Sequence, residues 1–360
     1  MVRIAVIGCG VVGAMIAYEL SQVPETEITV IDRSIPASGS TGAALGVLMG
    51  VISQKVKGRA WEMRSASLRR YETLIPELEH HTGQVIPFNR QGILMLCFAK
   101  EDLAGWETLA HTRHQQGYSL DILTPEELQQ HYPQIQHPEV VGAIYSPCDR
   151  QLDPTALTQA LVTAATHQGV AFQFNTPVDR FAIQDSLVKQ IQTPHESLEV
   201  DWVVVAAGTG SLLLTAALAH PIEVRPVLGQ AIQVHLDRPL GHPHRQPVIS
   251  GQDVHLVPIG PGKYWVGATV EFPQGTEIPV AEAASLEAVI QQAIGFCPDL
   301  AQGTIAKTWS GLRPRPVGRP APVIEPLSGY NNVLLATGHY RNGVLLAPAT
   351  AQAIRQAIVG

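Results

Sequence analysis

The chain has 360 residues, 45% of them hydrophobic and 15% charged, with a formal net charge of −7. That length and balance suit two globular domains with ample core, and the acidic surplus without any long basic run argues against a nucleic-acid partner. Cys9, Cys97, Cys148 and Cys297 are too scattered for a disulfide framework or a zinc knuckle, so no metal is expected.

From the amino terminus, Ile4-Ala5-Val6-Ile7 reads as a buried strand that breaks into a glycine-rich turn, followed by a helix from Val11 to about Gln22. A second strand, Glu27 to Ile31, ends at Asp32 and completes a β-α-β unit; its lack of alternation suggests a parallel strand covered on both faces. The small-residue stretch 34–52 reads as a loop, and Arg59 to Leu78 as a helix with Pro76 close to its end. Gln84 to Phe98 is strand-like. Thr124-Pro125-Glu126-Glu127 has the form of a capping box, and Asp153-Pro154 opens a helix reaching about His167. Val200 to Ala206 is an apolar strand ending at Gly208. Between 225 and 272 short strands alternate with Pro and Gly, and His255 to Thr269 reads as a hairpin of a separate antiparallel sheet. A helix is expected over about Val280 to Ile294. A strand over Val333 to Ala336, a glycine turn and a helix from about Pro348 to Ile358 return to the first style.

The fold class is therefore α/β: a Rossmann-type dinucleotide-binding domain on a mixed or parallel sheet, with an α+β domain built on an antiparallel sheet. Both domains are discontinuous, the first taking residues 1–80, 140–220 and 305–360, the second 81–139 and 221–304.

Gly8-Cys9-Gly10-Val11-Val12-Gly13 is a G-x-G-x-x-G placed between strand and helix. Gly8 permits the tight turn, Gly10 lets backbone approach a pyrophosphate, and Gly13 lets the helix pack against the sheet. The free N–H groups at the helix start would hold the phosphates, and Asp32, 19 residues beyond Gly13, would accept the ribose hydroxyls. A flavin dinucleotide has to be gripped along its whole length, and two later segments suit that. Val203 to Ser211 ends a buried strand in glycines. Gly338 and Gly343 bracket a polar loop ahead of the last helix, whose N-terminal N–H groups would stabilise the negative charge of a reduced flavin.

These segments, with Trp309-Ser310-Gly311-Leu312-Arg313-Pro314 and Val266-Gly267-Ala268-Thr269, resemble the D-amino-acid-oxidase superfamily of flavoproteins, and within it the glycine-oxidase group that supplies the imine for thiazole formation in thiamine biosynthesis. The resemblance spans essentially the full chain, and the block His339-Tyr340-Arg341-Asn342-Gly343-Val344-Leu345 is its specific part. It implies non-covalent FAD, with the pyrophosphate near Val11 and Val12 and the ribose near Asp32 and Arg33. It further implies that Ser40 and Thr41 meet the phosphates and that Leu45, Gly46 and Val47 run beside the flavin. Val178 would meet the adenine through its main chain, and His339 to Leu345 would surround the isoalloxazine.

For the substrate, the resemblance implies that Arg313 binds a carboxylate through its planar guanidinium, with Arg341 closing the other side. Arg315 and Arg319 read as surface residues. Where the family usually carries a tyrosine facing the substrate, this sequence has His255. The implied reaction is oxidative deamination of glycine or another small amino acid or secondary amine: an α-hydride passes to flavin N5, the imine hydrolyses to an oxo acid, and O2 is reduced to H2O2. No general base is required, so no catalytic side chain is assigned. Alternatives are a D-amino-acid or sarcosine-type dehydrogenase delivering electrons to a quinone or carrier, and a flavin-binding subunit without turnover of its own. No run approaches the roughly 18 apolar residues of a membrane span. A cytoplasmic location, with homo-oligomerisation open, is the expectation.

Overall fold

A computed structural model describes residues 1–99, 103–275 and 277–360. The apolar run Val2–Ile7 forms an inner strand of a six-stranded sheet, in the order Val323–Pro326, Val333–Thr337, Trp202–Val205, Val2–Ile7, Thr26–Ile31 and Ala171–Gln173. All neighbours are parallel except the antiparallel edge strand Val323–Pro326. Side chains alternate across this sheet, as a period of two requires. Ile4, Val6, Ile28, Val30, Val204 and Leu334 pack on the helical side. Ala5, Ile7, Ile31, Val203, Val205 and Leu335 face a small antiparallel meander, Arg180–Gln184, Leu187–Gln192 and Ser197–Glu199. Burial on both faces is why these strands read as unbroken apolar runs.

On the helical side, Val11–Ser21 packs against Pro154–His167 and Gly343–Val359. The Thr124 capping box and the Asp153 cap form as their sequences predict. Two helices run further than expected. Gly58–Thr82 carries Pro76 inside and stops only at Gly83, whose left-handed φ of 68° closes the helix. The last helix starts at Gly343, five residues before Pro348. Proline at 348 removes the donor that would satisfy the Val344 carbonyl, and the buried Tyr71 hydroxyl donates to that carbonyl instead. Nearby, the Ala349 amide donates to Ser67 Oγ at 3.2 Å. A neighbouring helix thus makes an internal proline tolerable.

The second sheet has eight strands, in the order Thr304–Pro316, Val224–His235, Lys263–Gly267, Val254–Gly260, Val248–Gly251, Ile93–Phe98, Val140–Ser146 and Asp121–Leu123. The expected hairpin is its antiparallel pair Val254–Gly260 and Lys263–Gly267. The pairing of Val248–Gly251 with Ile93–Phe98 is parallel. Strands Val140–Ser146 and Thr304–Pro316, grouped on sequence with the first domain, hydrogen-bond into this sheet. Among the described residues no helix is long and apolar enough to cross a membrane, and no cluster of His, Cys, Asp or Glu could hold a metal ion.

Candidate flavin and substrate site

A single cleft of about 990 Å³ runs from the glycine turn of the parallel sheet to the face of the antiparallel one. At its first end Gly8 has a φ of +109°, and a Cβ there would lie 2.6 Å from the Ala206 carbonyl oxygen. A Cβ at Gly13 would lie 1.9 Å from the Gly8 oxygen, so strand, turn and helix can close only on glycine. Asp32 fixes the turn from the adjacent strand: one carboxylate oxygen accepts the Cys9 amide at 2.6 Å, the other the Ser34 amide at 2.9 Å.

The loop after Asp32 links the two ends of the cleft. Thr41 Oγ1 accepts the Val11 amide at 3.0 Å, leaving its hydroxyl proton available to an anion at the helix start. The Ser40 hydroxyl instead donates to the Leu312 carbonyl at 2.5 Å, which commits its one proton to protein. Trp309 Nε1 donates to the Ala43 carbonyl at 3.1 Å, and a Cβ at Gly311 would come within 2.2 Å of the Ala43 side chain. The loop from Ser40 to Ala43 is therefore fastened to the strand that carries Arg313.

Along the middle of the cleft, Gly46 (φ +69°) brings its backbone so close to the neighbouring strand that a Cβ would fall 1.8 Å from the Leu152 oxygen. Leu45, Gly46 and Val47 line the wall there, and Arg33, Val178 and Gly208 also line the cleft. The last helix points its first residues, Gly343 and Val344, at the cleft. His339 is buried, with Nε2 2.9 Å from Thr350 Oγ1. Because the Thr350 hydroxyl donates to the Leu346 carbonyl, His339 is the donor and carries its proton on Nε2. Burial pushes its pKa down from 6.5 to about 4, so the ring is neutral.

At the far end, Arg313 Nη1 donates to the Leu228 carbonyl at 3.1 Å and the Thr269 carbonyl at 3.0 Å. Among the described residues no carboxylate pairs with this guanidinium. Burial, together with the nearby Arg341 charge, lowers its pKa, yet a guanidinium stays charged under such pressure. Arg341 lies 3.7 Å from Asp253, at the tip of the turn between Val248–Gly251 and Val254–Gly260. His255 lines the cleft beside it, and its buried Nδ1 has no partner among the described residues. Burial foremost drives the His255 pKa to about 4, so this ring too is neutral.

Of the residues singled out on sequence, Gly13 and Leu345 lie behind the wall, and all the others line the cleft. Gly13 acts through packing. Leu345 is 2% exposed within the apolar core. Sequence reasoning passed over Gly229, Asp253 and Met95 as residues of the cleft. A glycine in the middle of the long strand Val224–His235 is a signal for Gly229; the others carry none.

Residues 3–357 match the model of the family described as FAD dependent oxidoreductase, DAO. The chain belongs to that family. Its cofactor is FAD and its chemistry is oxidoreduction. The cleft fits that cofactor on its own geometry: a glycine turn at a helix start, backbone-only walls at Gly8 and Gly46, and a second helix start at Gly343. The chain is 30% identical over 361 residues to the bifunctional protein ThiO/ThiG of Synechocystis, covering 99% of this chain and 51% of that protein. It therefore spans about half the length of the first curated relatives it matches. It is 29% identical to a glycine oxidase of Bacillus subtilis, over 98% of this chain and 92% of that one. The crystal structure of glycine oxidase from Geobacillus kaustophilus superposes with a TM-score of 0.89 at 25% identity, covering 100% of this chain and 95% of the other.

Proposed function

We propose that the chain oxidises glycine or another small amino acid or secondary amine to the imine, which hydrolyses to an oxo acid, with O2 taking the electrons and releasing H2O2. The observation that carries this reading is the Arg313 guanidinium, half-buried at one end of the cleft whose other end is the dinucleotide turn, and held there by two carbonyls without an ion pair to any carboxylate among the described residues. A partly desolvated cation without an ion-pair partner is costly, and a substrate carboxylate supplies one.

FAD, when bound, supplies a two-electron acceptor. The residues of the chain orient and polarise. Arg313 fixes the carboxylate, and neutral His255 offers a ring nitrogen beside it without adding charge. The amides at the start of Gly343–Val359 face the site where negative charge develops. Gly8, Gly10, Val11, Val12, Asp32, Arg33, Thr41, Leu45, Gly46, Val47, Val178, Gly208 and the loop from Gly338 to Val344 hold the cofactor, while Gly13, Ser40 and Leu345 support that wall. The cofactor is held non-covalently: burial raises the Cys9 thiol pKa, keeping it protonated, and His339 is engaged with Thr350. Where glycine is the substrate, the imine that is not hydrolysed serves thiazole formation, as in the glycine-oxidase group.

The test is peroxide release from the FAD-loaded protein over glycine, sarcosine, D-alanine and D-proline, with Arg313→Ala alongside. The variant should keep its flavin and lose turnover by about 100-fold or more. Bleaching of the flavin by an amino acid without peroxide would move the acceptor from O2 to a quinone or carrier. Turnover that survives in the variant would remove Arg313 from the site.

A further inference from the structure

Beside the cleft, a row of alternating rings and guanidinium groups leads outward from Arg341. The Arg341 guanidinium lies 5.5 Å from the Tyr340 ring centroid, and the Arg315 guanidinium lies 5.7 Å from that same ring and 5.0 Å from Phe272. Tyr340 is set there by its backbone. It has a left-handed φ of 53°, uncommon for a residue with a side chain, and its amide donates to the Pro314 carbonyl at 2.9 Å, between the two arginines of the strand.

Arg315 follows Arg313 by two residues in a strand without a local bulge, so both side chains leave the same face, about 7 Å apart along the strand. Directly opposite Arg315 on the partner strand is Arg225, a like charge in the position where like charges repel. The acids nearby are already engaged. Glu223 pairs with Arg225 at 2.7 Å. Glu271 accepts hydrogen bonds from Gln230, Thr269 and the Glu282 amide. Asp253 faces Arg341. Among the described residues Arg315 has neither an ion pair nor a hydrogen-bond acceptor, so its N–H groups remain unspent while two aromatic rings hold the group. In a chain of net charge −7, two guanidinium groups without an ion pair among the described residues share one strand face, Arg313 in the cleft and the exposed Arg315 just outside its lining.

We propose that Arg315 seats a second carboxylate of the substrate, so that the site prefers amino or imino dicarboxylates to glycine. This rests on the preceding reading of the cleft, with Arg313 taking the carboxylate next to the reacting carbon. Arg315 takes the distal one through N–H groups that no protein acceptor uses, and Phe272 and Tyr340 keep it in place. Glycine and sarcosine, with one carboxylate, leave Arg315 unused.

The test compares kcat/KM for iminodiacetate and D-aspartate with that for glycine and sarcosine, in the FAD-loaded wild type and in Arg315→Gln and Arg315→Lys. Malonate and acetate binding by calorimetry is the readout independent of turnover. The dicarboxylates should be favoured by about 10- to 100-fold, the worth of a charge-assisted pair, and Arg315→Gln should bring the ratio close to one. Arg315→Lys should recover part of it. Malonate should bind more tightly than acetate in the wild type and lose that margin in Arg315→Gln. A wild type that prefers glycine, or a ratio that Arg315→Gln leaves in place, overturns the proposal. So does a variant that slows both substrate classes equally with an effect abolished by salt, since that marks steering at a distance. Absence of any amino-acid turnover would sink the oxidase reading, while the malonate margin would still decide the role of Arg315.

Discussion

The Arg313 guanidinium occupies the space that a side chain at Gly229 would fill. A Cβ on Gly229 would lie 2.3 Å from Arg313 Nη2 and 2.5 Å from Nη1. Two adjacent strands therefore share the work of positioning one charge: Thr304–Pro316 supplies the arginine, and Val224–His235 supplies the room.

Gly229→Ala should displace the guanidinium without touching the dinucleotide turn. The expected outcome is a KM for the amino-acid substrate raised by about 100-fold, the cost of misplacing a reacting partner by an ångström, with flavin content retained. Steady-state kinetics together with the flavin-to-protein absorbance ratio check it. Flavin loss in parallel would mean that the strand itself had moved.

Gly46→Ala should act on the cofactor end. A left-handed φ costs a residue with a side chain about 1–2 kcal/mol before any clash, and here the new Cβ would also meet a backbone oxygen. The Leu45–Val47 wall must shift, so FAD affinity should fall by at least about 10-fold. Equilibrium dialysis against free FAD measures this directly.

The two neutral histidines make the stability of the fold depend on pH. A His whose folded pKa is lowered takes up a proton in the unfolded chain first, so stability is present above about pH 6.5 and drains away as the pH falls towards 4. For His339 the loss across that window is on the order of 3 kcal/mol. Urea midpoints for wild type and His339→Asn at pH 7.5 and 4.5 should show a smaller acid loss in the variant. Equal losses would mean that the ring does not stay neutral on burial.

Tyr71→Phe removes the hydroxyl that serves the Val344 carbonyl, left without its helical donor by Pro348. An unsatisfied buried carbonyl costs about 1–3 kcal/mol, and the thermal midpoint should fall accordingly. Because Val344 lines the flavin end of the cleft, FAD affinity should weaken in the same variant.

Much of this molecule was legible in its residues. The Gly8–Gly13 turn with Asp32 identified the parallel unit because each glycine there answers a local steric demand. Two helix ends were not legible. Pro76 and Pro348 look like boundaries, and each sits inside a helix, in the second case because Tyr71 and Ser67 reach across from another element. Ser40 illustrates the same limit at the site. It lines the cleft where the family resemblance expects it, and nothing in the sequence reveals that its hydroxyl donates to Leu312, 272 positions away. Arg315 is exposed, as its sequence reading has it, but nothing local reveals Phe272 and Tyr340 on either side of it.

The inner strands of the cofactor sheet come from residues 2–7, 26–31, 202–205 and 333–337. A ribosome making this chain thus releases the first strands long before the one that completes their neighbourhood. Until Val333–Thr337 emerges, the apolar edge of Trp202–Val205 has no partner on that side. Nascent chains should depend on chaperones until that strand is made, and the nucleotide should be captured only after residues 333–337 have emerged.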